Sequence, residues 1–236
     1  MSRRTVREAK TDEGRRSERV EIGRRLLEIY ERLLAAFGPQ GWWPAEDDFE
    51  MVVGAILTQS TSWVNVEKAI DNLKAAGMLD PITLVSVDER VLAERIRPSG
   101  YFNAKARKLK AFCNHLQMRY GGDLSRMFHV KPSDLRAELL SIWGIGPETA
   151  DSIVLYGARQ PVFVIDAYTR RIFARLGIAS PDVDYHGLQR LFMESLPASV
   201  PLFQEYHALV VALGKEVCRP TPACPRCPLC DLCPSG

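Results

Sequence analysis

Apolar residues recur at helical spacing along most of the chain. Ile22, Leu26, Ile29 and Leu33 share one face of a segment that Gly38-Pro39 brings to a stop. Trp63, Val66, Ile70 and Leu73 repeat the pattern, and Leu109, Phe112 and Leu116 form a third stripe, whose outer face is read as carrying Lys105, Arg107, Lys108 and Lys110. Segments opening near Asp47, Ser133, Pro147, Asp166, Tyr185 and Leu202 read as further helices, with connectors such as Arg97-Pro98-Ser99-Gly100 between them. No alternating run of comparable length predicts a strand, so the expected fold class is all-α. No repeat or low-complexity linker marks a domain boundary, and a break is placed near Gln160-Pro161.

Composition narrows the class. With 46% hydrophobic and 25% charged residues in 236, the chain is neither disordered nor fibrous. Thirty-one basic residues against twenty-nine acidic ones leave a net charge of +2, so any basic face must be local. The longest apolar stretch, Ala208 to Leu213, is far short of the ~20 residues a membrane helix needs, and no membrane partner is expected. Residues 1–19 are Arg-rich without an apolar core segment, which excludes a secretory signal. Glu8, Asp12, Glu13 and Glu18 argue against a transit peptide, and the stretch reads as a disordered, mildly basic tail. A cytoplasmic protein is expected. Five of the six cysteines crowd the last nineteen residues, with Cys113 alone elsewhere. In a reducing compartment such crowding points to metal ligation rather than disulfides.

Two motifs carry candidate chemistry. Leu139-Leu140-Ser141-Ile142-Trp143-Gly144-Ile145-Gly146-Pro147 joins two helical stretches through a Gly-x-Gly turn. Glycines let backbone approach a ligand, and a helix opening at Pro147 offers N–H groups and a positive dipole end to a phosphate; the plainer reading is a helix–helix turn. Further on, Val162-Phe163-Val164-Ile165 delivers Asp166 directly ahead of a helical pattern, as a poorly solvated carboxylate or as an N-cap.

In this order and spacing the two motifs resemble the helix-hairpin-helix (HhH-GPD) DNA glycosylases of the endonuclease III superfamily, which carry a Leu-Pro-Gly-x-Gly-like hairpin and then an essential aspartate after an apolar run. The resemblance implies two helical lobes around a DNA-binding cleft: a six-helix lobe over 40–160, and a second lobe from 20–39 and 161–236. It places Asp166 on the catalytic aspartate. In Leu57-Thr58-Gln59-Ser60-Thr61 it makes Gln59 the residue that fills the gap in the duplex, and in Gly100-Tyr101-Phe102-Asn103-Ala104-Lys105 it makes Tyr101 the wedge. Backbone N–H groups of Gly144, Ile145 and Gly146, with Lys105, Lys108 and Arg171, would hold phosphates. The tail spacing Cys218-x5-Cys224-x2-Cys227-x5-Cys233, with Cys230 inside the last interval, resembles the family's [4Fe-4S] loop over 218–233, although four thiolates also suit zinc.

Departures refine the expectation. Bifunctional members place a lysine nucleophile two residues after the second hairpin glycine; here that position is Glu148, which cannot form an imine, so hydrolysis by water is implied. Lys215 is the amine that keeps a lyase reading open. Trp42-Trp43-Pro44 and Ser62-Trp63 resemble the endonuclease III-type 3-methyladenine DNA glycosylases, whose aromatic rings sandwich the flipped base, nominating Trp42, Trp43 and Trp63. The expected protein is therefore a monomeric, nucleoid-associated DNA N-glycosylase of base excision repair acting on damaged double-stranded DNA without a nucleotide cofactor, most simply on alkylated purines such as 3-methyladenine. The alternatives are a bifunctional glycosylase/lyase for oxidised pyrimidines and a non-catalytic, zinc-stabilised DNA-binding module.

Overall fold

The computed structural model of the chain describes residues 12–235, and among them every regular element is a helix. In chain order these are α1 (Asp12–Phe37), α2 (Asp48–Leu57), α3 (Trp63–Ala75), α4 (Pro81–Ser86), α5 (Glu89–Arg95), α6 (Phe102–Tyr120), α7 (Leu124–Phe128), α8 (Pro132–Ser141), α9 (Pro147–Ser152), α10 (Ala167–Arg175), α11 (Tyr185–Ser195) and α12 (Val200–Glu216). A π-turn, Ile153–Gly157, extends α9. No helix among the described residues is long and apolar enough to cross a membrane.

The chain divides into two compact units, 1–40 with 167–198 and 206–236, and 41–166 with 199–205. The chain returns to the first unit after Asp166, six residues beyond the Gln160-Pro161 break read from the sequence, because Val162 to Ile165 are buried in the second unit rather than opening the other. In the first unit, the α1 stripe Leu26, Ile29 and Leu33 is buried, the Tyr206 hydroxyl donates to the Leu26 carbonyl at 2.8 Å, and Phe173 meets Phe192 edge-on at 4.7 Å. Gly23 is required there, since a Cβ would stand 2.5 Å from the Ser195 carbonyl oxygen. The tail expected to be disordered is helical from Asp12 onward, with Arg19 paired to Glu194 at 2.6 Å; residues 1–11 lie outside the described residues.

In the second unit, Asp47 caps α2, accepting from the Glu50 N–H at 2.8 Å, and every residue from Phe49 to Leu57 is buried. Helix α6 packs Ala106, Leu109, Phe112 and Leu116 inward. Cys113 lies on that face, its thiol pushed up to about 12 by burial, and is an inert core residue. An Arg136–Asp151 ion pair at 2.6 Å, with Asp151 fully buried, locks α8 to α9 across the hairpin.

The cationic outer face expected for α6 is corrected. Lys105 is 1% exposed, and its Nζ donates to the carbonyls of Leu57 (2.8 Å) and Ser99 (2.6 Å); Lys110 donates to the carbonyls of Leu84, Val85 and Val87. Both ammonium groups satisfy carbonyls at the ends of neighbouring helices, where the dipole favours a cation. Lys105 therefore stands away from any phosphate and instead ties the end of α2 to the turn that precedes Tyr101.

Burial, and then the neighbouring Lys108 charge, lower the Lys105 pKa to about 8. The unfolded chain thus holds a proton between about pH 8 and 10.5 that the folded chain has released, so stability rises with pH in that window. Urea unfolding should show the wild type gaining on Lys105→Met by up to about 1.4 kcal/mol per pH unit there. A difference independent of pH would contradict this placement.

Candidate active site and nucleic-acid interface

The hairpin is built by close packing. Gly144 has φ +85°, and a Cβ there would stand 2.4 Å from Lys108 Cγ, so only glycine lets the turn lie on the lysine stem. The Ile145 N–H donates to the Ile142 carbonyl at 3.1 Å and its side chain is buried, which removes Ile145 from the expected phosphate donors. Gly146 is different: φ is −92°, and nothing lies within 4 Å of a Cβ placed there. It opens α9, whose first turn has N–H groups beyond the reach of the intrahelical ladder.

Gln59 is tied into this turn. Its Nε2 donates to Thr149 Oγ1 (2.9 Å) and to the Gly144 carbonyl (3.2 Å), while its Oε1 accepts from Lys108 Nζ. The residue expected to fill the duplex gap thus holds the α2–α3 loop against the hairpin. Tyr101, the expected wedge, is 75% exposed and occupies the left-handed region at φ +45°, directly after Gly100 at φ +68°. An exposed aromatic side chain held in a sparsely populated backbone conformation is characteristic of a functional position.

The three tryptophans named from the sequence come together. Trp42 meets Trp63 at 4.6 Å, Trp43 meets Trp63 at 5.3 Å, and Trp42 meets Trp43 at 5.2 Å, all tilted or edge-on. Gly54 makes room for them, since a Cβ there would lie 3.1 Å from Trp43 Nε1 and 3.3 Å from Trp63. A sandwiched base needs ring faces roughly 7 Å apart, twice the van der Waals spacing, so these rings must part to admit one between them. Tyr156 extends the cluster at 5.3 Å from Trp43, and its hydroxyl donates to the Gln204 carbonyl at 3.1 Å. Sequence reasoning passed over Tyr156 because its place depends on the π-turn, a feature frequent at functional sites that no periodicity reveals.

Asp166 is 8% exposed. Burial first, then the Asp166 and Glu205 carboxylates, hold the Tyr156 phenol well above its usual range, so it stays a neutral hydroxyl beside those charges. Phenol and indole cluster are in ring contact, and the Asp166 carboxylate acts on the phenol electrostatically from within the same unit. Glu148 is exposed in the first turn of α9.

The remaining named residues belong to the first unit. Lys215 is exposed in the last turn of α12. Arg171, expected on phosphate, donates to the carbonyls of Cys218 (2.9 Å) and Gly214 (3.1 Å) and lies over the Tyr168 ring, so it caps α12. All five tail cysteines carry free thiols and line one cavity with Arg175. The Arg175 guanidinium donates to Cys218 Sγ at 3.3 Å, and its carbonyl accepts from Cys233 Sγ at 3.5 Å.

Comparison with known proteins agrees with this geometry. A family model described as HhH-GPD superfamily base excision DNA repair protein matches residues 53–198. The chain is 46% identical over 200 residues to a candidate DNA repair glycosylase of Methanocaldococcus jannaschii, covering 84% of this chain and 91% of that protein. It is 27% identical over 182 residues to endonuclease III of Thermotoga maritima, covering 75% and 78%. The H. pylori 3-methyladenine DNA glycosylase MagIII bound to 1,N6-ethenoadenine is similar with a TM-score of 0.70 at 28% identity, over 84% of this chain and 97% of that one. A non-covalent endonuclease III–DNA complex shares the fold with a TM-score of 0.78 at 23% identity, over 90% and 95%. With a hairpin, a buried aspartate and a family match spanning most of its length, the chain belongs to the HhH-GPD superfamily of base excision DNA repair proteins.

Proposed function

We propose that this member of the superfamily is a monofunctional DNA N-glycosylase that hydrolytically removes an alkylated purine from duplex DNA. The observation that carries the reading is the Trp42–Trp43–Trp63–Tyr156 ring cluster in the same unit as the buried Asp166 carboxylate. Electron-rich indoles favour the electron-poor, cationic ring of an alkylpurine. Trp43 Nε1 is buried with no hydrogen-bond partner among the described residues, a donor available to the edge of a bound base. The similar H. pylori enzyme is a 3-methyladenine DNA glycosylase holding 1,N6-ethenoadenine, which supports the substrate class.

The nucleotide must leave the stack before its glycosidic bond is reachable, with Tyr101 entering the gap and Gln59 exchanging its hairpin contacts for the orphaned partner base. A cationic base leaves without a general acid. Asp166 then stabilises positive charge developing on the sugar and orients the attacking water. Glu148 at the family's lysine position offers no amine, so the product is an intact strand bearing an abasic site. Borohydride tests this: no adduct is expected, and a strong trapped adduct would overturn the hydrolytic assignment, with Lys215 the first amine to replace.

Gly146 supplies a test of the interface. Neither backbone conformation nor packing demands glycine there, which leaves close approach of a phosphate as its use. Gly146→Ser inserts a good capping residue, so melting temperature should hold while duplex affinity falls roughly 10–100-fold, the worth of a charge-assisted hydrogen bond. Unchanged affinity would move the DNA elsewhere.

The cysteine loop is the proposed seat of an iron-sulfur cluster, although among the described residues no three of its thiols are gathered closely enough to hold a metal ion as they stand. Its thiols surround a common cavity, beside a guanidinium that suits thiolate charge. Cys218, Cys224, Cys227 and Cys233 are the proposed ligands, and the bound cluster would supply a structural crosslink.

A further inference from the structure

Two aromatic rings stand among the exposed large hydrophobic side chains of the described residues: Tyr101 at 75% and Trp143 at 56%. Tyr101 is the proposed wedge, whereas the proposed mechanism makes no use of Trp143. It lies on the hairpin itself, immediately before Gly144, at the place where the family's hairpin has proline. The Arg107 guanidinium sits over its ring, 5.4 Å from the centroid. Arg107 is itself exposed and makes no ion pair among the described residues. The same turn of α6 contributes Lys108, whose stem the Gly144 backbone touches, so the hairpin is pressed onto the helix that presents the cation.

We infer that Trp143 and Arg107 form a DNA-backbone contact of this chain, in which the indole packs on the deoxyribose face of the nucleotide adjoining the hairpin-bound phosphate and Arg107 pairs with that nucleotide's phosphate. The inference rests on the glycosylase reading for the presence of DNA at the hairpin. Two features identify the occupant. Charge is complementary, since a cation stacked on an indole leaves its outward N–H groups to an anion. The surface is also continuous, through Gly144, with Gly146, where the proposed function already places phosphate. Burying a half-exposed indole against sugar adds affinity that is insensitive to salt, whereas an arginine–phosphate contact adds affinity that salt removes.

This division gives the test. Fluorescence anisotropy would follow binding of a labelled undamaged duplex by the full chain across a salt series, with melting temperatures measured alongside. Trp143→Ala should weaken binding roughly 5- to 50-fold, in the range of aromatic–nucleotide contacts, without changing the salt slope, and Trp143→Phe should restore most of the loss. Arg107→Ala should flatten the slope by about 0.9, the value of one phosphate. If Trp143→Ala binds like the wild type, or Trp143→Phe is no better than alanine, the inference fails while the glycosylase reading stands. A wild-type chain that binds no duplex at low salt overturns both.

Discussion

Asp166→Asn is expected to lower base excision roughly 10²-fold or more, about 2.7 kcal/mol of transition-state stabilisation, while binding to damaged duplex survives. The side chain is 8% exposed, and in the proposed mechanism it acts on the sugar from a water-poor site where a charge interacts more strongly than in bulk water. Asparagine keeps the shape and hydrogen-bonding reach but not the charge. If Asp166 served only to cap the helix that follows, asparagine would cap about as well and excision would persist. Single-turnover rates on a lesion-bearing duplex, with melting temperature as the fold control, separate the two roles.

Cys224→Ser is expected to abolish iron binding and to release the 218–233 segment to proteolysis. The wild-type protein should be brown with about four irons per chain, as a cubane on four thiolates requires. Within the loop Leu229 is buried, at 1% exposed, and most of its neighbours are not, so the segment has little core of its own, and the proposed cluster would supply the crosslink that holds it. Cys230→Ser should retain iron and protease resistance. A colourless wild type with one zinc, or a Cys224→Ser chain with full iron, would contradict the ligand assignment.

Long amphipathic helices were legible because their stripes run for several turns, as in α1, α3 and α6. The short helices α4, α5 and α7 were not, since one or two turns between polar connectors leave no stripe to read. The misplacement of Lys105 is instructive. Position 105 falls four residues before Leu109 and therefore on the same buried stripe as Leu109, Phe112 and Leu116; residue type argued for the surface, but two backbone carbonyls at the stripe's end satisfy the ammonium group. Asp166 and the tryptophans were nominated through motif resemblance, whereas the joining of the indoles to a tyrosine in the unit that holds Asp166 was not legible. The position of Tyr156 follows from an irregular turn and from its contact with Trp43, 113 residues away in sequence. The hairpin's internal hydrogen bonds, which remove Ile145 from the phosphate donors, are also invisible to spacing alone.

The most direct test of the proposed function is to incubate the purified chain with a duplex carrying a single alkylated purine and to quantify both free base and strand integrity. Release of the free alkylpurine is expected, with an abasic strand that breaks only after alkali. Alkylated duplex that is bound but keeps its base, with Asp166→Asn indistinguishable from the wild type, would contradict it.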